Sequence, residues 1–241
     1  MIYLFSWYSY IFLLPAIIFA VYASYKVNST FNKYKNVSSL TNWTASDMSR
    51  MMLEKNDCLG VSVQRISGSL TDNYDPRANV LNLSDSTYNS NSIASLGVAA
   101  HEVGHAVQHR EEYFLLKVRS VLVPITNIGS KFAIPLLIVG VLIELLAGSN
   151  VLGSFGTALI LIGIIAYALA TVFALVTLPV EIDASRRARR MLVETGVLNT
   201  TEVKQAKEVL DAAALTYVAA FAVSLMYLLR LLWILSKVRR R

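Results

Sequence analysis

Residues 101–105 read His101-Glu102-Val103-Gly104-His105, and the spacing of the two histidines requires a helix if both side chains serve one site. On a helix, four residues bring the imidazoles to one face, where their nitrogens can converge on a single Zn²⁺ ion. Glu102 projects to the adjacent side, where it can take a proton from water activated by the metal and later pass it to a leaving amine. The stretch predicts one catalytic zinc ion held by His101 and His105, with Glu102 as the general base of peptide-bond hydrolysis.

The helix that carries this motif is predicted to begin near Ser92, a residue type that caps helix N-termini, and to continue past Glu111 and Glu112. His109, one of only three histidines in the chain, falls on the same face one turn further along. It lies another ~6 Å along the axis from His105, and three histidines on one straight helix cannot comfortably surround a tetrahedral ion. We therefore expect His109 to act near the ligands or the substrate rather than to bind the metal.

The third ligand must come from elsewhere in the chain, and a carboxylate is a usual partner for two histidines. Glu181 directly follows the uncharged run 151–180, and Pro179 suits the first turn of a second helix that opens there. Asp183 is expected to hydrogen-bond or pair with a group around the ligands. The alternative for Glu181 is that it only complements a helix N-terminus. As a ligand, Glu181 would share its helix face with small residues that permit close approach to the zinc helix, namely Ala184, Ser185 and Ala188.

The composition excludes an ordinary soluble domain, because 55% of the 241 residues are hydrophobic, only 16% are charged and the mean hydropathy is +0.50. The net charge of +6 does not indicate nucleic-acid binding, since the basic residues flank apolar runs and suit a lipid surface. Cys58 is the only cysteine, so the chain can form neither an intrachain disulfide nor a cysteine-rich zinc cluster.

Apolar runs divide the chain into predicted parts. Residues 2–25 carry no charge and are long enough to span a bilayer, which indicates a retained anchor rather than a cleaved signal peptide. A short link at Gly148-Ser149-Asn150 makes the apolar runs on either side of it a helical hairpin. The predicted parts are an N-terminal transmembrane anchor at 1–25, a catalytic segment with the zinc-binding helix at 26–118, a transmembrane hairpin at 119–180, a helix supplying the third zinc ligand at 181–210, and a C-terminal transmembrane helix with a basic tail at 211–241.

Short elements of both kinds are predicted within the polar segment 26–118. A short helix fits residues 48–56, and a short strand fits residues 61–66. Residues 71–76 read as a turn-rich stretch, and the alternation of polar and apolar residues in 79–83 is typical of a half-buried strand.

Four stretches resemble the bacterial YugP-like family of neutral zinc metallopeptidases, and the likeness runs from residue 25 to the last apolar run. The resemblance implies a membrane-bound, zinc-dependent protease that acts on a protein or peptide substrate, in particular a membrane protein. With the residue patterns, it indicates a mainly α fold: a multi-span helical membrane protein with a small α+β zincin-like catalytic segment containing a short sheet. The stretches are Leu70–Pro76 (LTDNYDP), Val80–Ser84 (VLNLS), Ala99–Gln108 (AAHEVGHAVQ) and Leu178–Ala188 (LPVEIDASRRA).

A more distant similarity links the layout to HtpX-type and CAAX-prenyl membrane proteases, which pair an H-E-x-x-H helix with the glutamate of an E-x-x-x-D stretch after a transmembrane hairpin. Glu181 matches the ligand position, but Ser185 stands where that pattern has aspartate. Two roles stay open. The edge of strand 79–83 can pair with an extended substrate backbone, or 79–83 is an ordinary sheet strand. Arg186 and Arg187 can orient Glu181, polarise the substrate carbonyl or simply flank the membrane.

The hairpin returns the chain to the side it left, so residues 26–118 and Glu181 are expected on one face of the membrane. Basic residues within 26–35 and 186–190 favour the cytoplasmic face. The basic tail 237–241 would then lie outside, which the same rule disfavours unless the last apolar run is kinked or re-entrant.

Two other functions fit parts of the sequence. A catalytically inactive zinc-binding membrane scaffold or adaptor would use four protein ligands and need no glutamate base. A metal transporter would carry ionisable residues in mid-membrane, yet the run 151–180 has none. The presence of Glu102 and the polar setting of the motif favour the peptidase.

Overall fold

The computed structural model describes residues 8–147 and 151–238, which fold mainly into helices with one small sheet, as predicted. They divide into two compact units, one formed by residues 21–117 and 178–217 and the other by the described parts of 1–20, 118–177 and 218–241. The elements are α1 (Tyr8–Ile11), α2 (Leu14–Tyr34), α3 (Ala45–Lys55), β1 (Ser62–Ile66), β2 (Asn73–Asp75), β3 (Val80–Ser84), α4 (Ile93–Arg110), α5 (Phe114–Ala147), α6 (Val151–Thr195) and α7 (Thr200–Val238).

The sheet has three strands in the order β1-β3-β2, with β3 parallel to β1 and antiparallel to β2. Leu81 and Leu83 of β3 are fully buried, which confirms the alternating pattern read from the sequence. Because β3 pairs on both sides, it is an interior strand, and the interpretation of 79–83 as a free edge is wrong. The edge beside α4 belongs to β2, which lies in the stretch predicted to be turn-rich. Asn73 and Asp75 disfavour strands, and pairing with β3 makes the three residues a strand in spite of them.

Helix α4 begins as predicted, since the Ser92 hydroxyl accepts a hydrogen bond from the amide of Ser95 at 3.2 Å. It ends at Arg110, so the expectation that it continues past Glu111 and Glu112 is wrong. Glu112 has a φ of +54°, and the amides after the helix turn back onto its last carbonyls: Tyr113 N to Gln108 O at 2.9 Å and Glu112 N to His109 O at 3.1 Å. This is a Schellman ending, which usually carries glycine; with glutamate at that position the sequence gives no stop signal.

Helix α4 is the centre of the unit formed by 21–117 and 178–217. It packs against α3, β2 and β3, and most of its side chains are buried. A Cβ atom built on Gly104 would lie 2.6 Å from the carbonyl oxygen of Ala184, so only glycine allows α4 and α6 to approach this closely. Gly97 faces α7 with more room, since its Cβ would meet Ala206 at 3.7 Å. The close approach at Gly104 brings the middle of α4 against the second half of α6.

Helix α6 is continuous from Val151 to Thr195, so the prediction that Pro179 opens a separate helix is wrong. Proline removes one backbone donor, and a long apolar helix supported by its neighbours tolerates that loss. The predicted helix at 181–210 is instead the end of α6 and the start of α7, divided by residues 196–199. Gly196, with a φ of +67°, supplies the left-handed residue that ends α6.

Three described helical segments are long and apolar enough to cross a membrane: Phe114–Leu146, Ser154–Thr195 and Thr200–Ser236. In the unit that contains 118–177, α5 and α6 are antiparallel, because Gly140 approaches Gly156 and Gly163 approaches the carbonyl of Ala133. The pair approaches closely at Gly140, where a Cβ would lie 2.7 Å from the Gly156 carbonyl oxygen, as is usual for membrane helices packed through small residues. The predicted hairpin link at 148–150 lies outside the described residues.

The N-terminal anchor stays a prediction. Its first seven residues lie outside the described part of the chain, and α2 is not among the three candidate spans. Helix α2 continues to Tyr34, nine residues beyond the predicted boundary at 25.

Replacing Gly104 by alanine is expected to destabilise the protein, because the added methyl group collides with backbone rather than with a movable side chain. Overpacking of this kind costs about 1–3 kcal/mol. Alanine at Gly97 provides the matched control, since both substitutions gain up to about 1 kcal/mol of helix propensity and only Gly104 meets a clash. Thermal unfolding in detergent should show a lower Tm for Gly104→Ala and an equal or higher Tm for Gly97→Ala. Equal Tm values for the two variants would contradict the close approach of α4 and α6.

Candidate metal centre

Three side chains from two helices meet at one point, and they are the three predicted zinc ligands. His101 and His105 project from successive turns of α4, with their rings edge to face at a centroid distance of 4.8 Å. Glu181 reaches them from α6, and its Oε2 lies 3.1 Å from Nε2 of His101 and 3.5 Å from Nε2 of His105. One candidate ligand atom from each of the three residues lies within 4.8 Å of the other two.

This donor set fits a zinc ion. A tetrahedral site with metal–ligand distances of about 2.0–2.1 Å places its ligand atoms about 3.4 Å apart, and the two distances from Glu181 bracket that value. Burial disfavours the charged form of Glu181, but its contacts with His101 and His105 outweigh burial and hold the pKa of this carboxyl well below its usual range. Glu181 is 2% exposed, so two imidazole nitrogens and a buried carboxylate face each other, as a His₂Glu site requires.

The remaining ring nitrogens of both histidines are also held. Nδ1 of His101 lies 3.1 Å from the hydroxyl of Ser185, and Nδ1 of His105 lies 3.0 Å from Oε1 of Gln108. Contacts of this kind fix the ring orientation and leave Nε2 for a metal. Ser185 therefore serves His101 from the position where the distantly similar proteases have aspartate. Sequence reasoning missed Gln108, although its position three residues after His105 places it on the same helix face.

Glu102 lies beside the group, on the side of β2. The backbone amide of Tyr74 donates a hydrogen bond to its Oε2 at 3.0 Å. Burial raises the pKa of Glu102 to about 7, and the nearby carboxylate of Glu181 acts in the same direction. A carboxyl group that titrates near neutral pH is suited to accept and return a proton.

His109 does not join the three clustered side chains in the part of the chain that the structure describes. Its Nδ1 lies 2.8 Å from the hydroxyl of Tyr74, so it fastens β2 to the end of α4. Burial raises the pKa of Tyr74 to about 12, and its hydroxyl therefore keeps its proton at neutral pH. His109 thus contacts β2, and its expected role near the ligands or the substrate stays a prediction.

The charged residues after Glu181 have partners other than the ligands themselves. Asp183 accepts hydrogen bonds from Gln108 at 2.9 Å and from Arg187 at 2.6 Å, so it reaches His105 only through Gln108. Arg187 also pairs with Glu111 at 2.5 Å. Its guanidinium group therefore contacts two carboxylates other than Glu181. The Arg186 side chain is exposed.

Comparisons with known proteins identify the family of the chain. Residues 9–236 match the family described as "Putative neutral zinc metallopeptidase". The chain is also 41% identical over 226 residues to "Putative membrane protease YugP" of Bacillus subtilis (strain 168). The aligned region covers 93% of this chain and 96% of that protein. No solved structure matches the chain. The chain therefore belongs to this zinc metallopeptidase family, as the resemblance read from its motifs implied.

Replacing Glu181 by glutamine should weaken zinc binding by about 100-fold or more, because a ligand is lost and loss of an outer partner alone costs about 10–100-fold. Glu208→Gln is the control, since that carboxylate on α7 contacts Lys33 and Tyr34 instead. Zinc content after purification and titration against a chromophoric chelator would measure the difference. Full occupancy and unchanged affinity in Glu181→Gln would exclude Glu181 as the third ligand.

Proposed function

We propose that this member of the zinc metallopeptidase family is a membrane-bound, zinc-dependent endopeptidase with a single catalytic zinc ion. The observation that carries the proposal is the meeting of His101, His105 and Glu181 around one point, with the carboxylate of Glu102 beside them. A site built only to stabilise the fold would use four protein ligands and would not need an adjacent carboxyl group of raised pKa.

Each residue of the site is assigned one role in the reaction. His101, His105 and Glu181 hold the ion, which when bound would polarise the peptide carbonyl and make water acidic enough to be deprotonated near neutral pH. Glu102 removes a proton from the attacking water and then delivers it to the nitrogen of the leaving amine as the C–N bond breaks. The amide of Tyr74 orients the Glu102 carboxylate for both transfers.

We infer that the substrate backbone lies along β2 rather than β3. Strand β2 is the sheet edge next to α4, and the amide of Tyr74 is donated to Glu102 rather than to β3. The edge of β2 that does not pair with β3 is therefore the edge that faces Glu102. An extended peptide added to this edge would bring its carbonyl groups to Glu102 and the metal, with main-chain hydrogen bonds supplying sequence-independent affinity.

The chain is proposed to cross the membrane several times, with the metal centre on the cytoplasmic face. Support comes from the antiparallel packing of α5 and α6, which returns the chain to the side it left, and from basic residues in 26–35 and 186–190. Substrates are proposed to be membrane proteins or peptides at the membrane surface, because the ligands lie next to long apolar helical segments in the sequence.

Glu102→Gln is expected to keep zinc and lose peptide cleavage, because the amide has nearly the same shape but cannot accept the proton. General-base catalysis contributes about 10²–10⁴-fold, so kcat should fall by at least that range. The assay is hydrolysis of a quenched fluorescent peptide library by zinc-loaded protein in nanodiscs. Glu194→Gln, at an exposed glutamate paired with Arg190, is the control that should stay active. Undiminished cleavage by Glu102→Gln would exclude this mechanism, and a zinc-loaded wild type without cleavage would favour the non-catalytic scaffold.

The cytoplasmic orientation predicts which positions a membrane-impermeant maleimide can label in intact cells. Cys58 is the only cysteine and is buried, so Cys58→Ala gives a suitable background. Leu40→Cys, at a residue 80% exposed in the metal-binding unit, should be labelled only after the cells are permeabilised. Ser149→Cys, in the predicted hairpin link, should be labelled without permeabilisation. The opposite pattern would place the metal centre outside the cytoplasm.

A further inference from the structure

A chain of polar side chains leads away from His105, passing between α4 and α6. Nδ1 of His105 contacts Oε1 of Gln108, and Nε2 of Gln108 contacts Asp183. Asp183 accepts from Arg187, which in turn pairs with Glu111 at the end of α4. This series of hydrogen bonds begins on α4, crosses to α6 and returns to the end of α4. It therefore depends on the relative position of the two helices.

The amide group of Gln108 can adopt only one orientation in this network. It is fully buried, and its Nε2 lies 2.9 Å from two acceptors, the carbonyl oxygen of Val180 and the Oδ2 of Asp183. An amide nitrogen has two hydrogens to donate and an amide oxygen has none. Turning the amide over would place its oxygen against two oxygen acceptors inside the protein, where unpaired polar atoms are costly. The amide therefore keeps its oxygen towards His105.

From this geometry we propose that Gln108 is a positioning residue that presets His105 as a metal ligand, an inference that rests on the proposed zinc site. Oε1 of Gln108 can only accept a hydrogen bond, so Nδ1 of His105 must carry a proton. Nε2 is then the nitrogen left to bind the metal, and it is the nitrogen that faces Glu181. With a proton held on Nδ1 by Gln108, the ring of His105 can offer only Nε2 to a metal.

The charged end of the chain keeps Gln108 in place. Asp183 accepts hydrogen bonds from Nε2 of Gln108 at 2.9 Å and from Nε of Arg187 at 2.6 Å. Its Oδ2 thereby holds the Gln108 amide on the side away from His105. Arg187 is in turn fixed between Asp183 and Glu111, and its side chain is only 15% exposed.

The two histidines differ in this respect. His101 is held by the Ser185 hydroxyl, which can donate or accept and so imposes no tautomer. His105 is held by an amide whose orientation is fixed from the far side. Preorganisation of this kind lowers the cost of binding, and loss of such an outer partner typically weakens metal affinity by about 10–100-fold.

The decisive experiment compares zinc affinity and histidine NMR for wild type and Gln108→Leu in nanodiscs. Gln108→Leu keeps the size of the side chain and removes both hydrogen-bonding atoms, so zinc affinity should fall about 10–100-fold. Asp183→Asn should cause a smaller loss, because the Val180 carbonyl still holds the amide. Ser49→Ala, which deletes another fully buried hydrogen bond, is the control and should bind zinc as wild type does.

The NMR measurement uses wild type itself, so it stands even if Gln108→Leu fails to fold. With only three histidines, ¹⁵N-histidine labelling of the zinc-loaded protein should resolve each ring. His105 should show a zinc-bound Nε2 and an Nδ1 proton protected from exchange with solvent. A zinc-bound Nδ1 in wild type, or unchanged zinc affinity in folded Gln108→Leu, would overturn the proposal. Zinc binding that survives Glu181→Gln would instead overturn the metal site on which it rests.

Discussion

The close approach of α4 and α6 at Gly104 is the constraint on which the rest of the metal centre depends. With a methyl group at that position the helices would have to move apart, because the obstacle is the Ala184 carbonyl of the neighbouring backbone. The same approach carries Glu181 to His101 and His105, since Ala184 follows Glu181 by less than one helical turn. The contact between Gly104 and Ala184, neither of which can bind a metal through a side chain, thus decides whether the proposed ligands can share one ion.

The hydrogen bonds made by polar groups around the metal centre also follow from this contact. Two helices packed this tightly leave buried donors and acceptors between them, and each must find a partner inside the protein. Ser185 and Gln108 meet the outer nitrogens of the histidines, and Asp183 with Arg187 meets the far side of Gln108. The groups that stabilise the helix interface are therefore also the groups that orient the proposed ligands.

Local patterns predicted a large part of the molecule. The H-E-x-x-H spacing, the Ser92 cap and the long apolar runs gave α4, its active face and the helices able to span a membrane. The same local reasoning failed where local signals were missing or misleading. Glu112 takes the left-handed conformation without being glycine, Pro179 lies inside a helix instead of opening one, and Asn73–Asp75 becomes a strand although Asn and Asp disfavour strands.

The sequence by itself determined that His101, Glu102 and His105 share a helix, because helical periodicity acts over a few neighbouring residues. It also pointed to Glu181, since that carboxylate directly follows the uncharged run. Only the tertiary structure decided which strand forms the sheet edge beside Glu102, how Gln108 is turned, and which nitrogen of His105 faces Glu181. These depend on contacts between residues far apart in the chain, and such contacts exist only once α4, α6 and β2 have packed together.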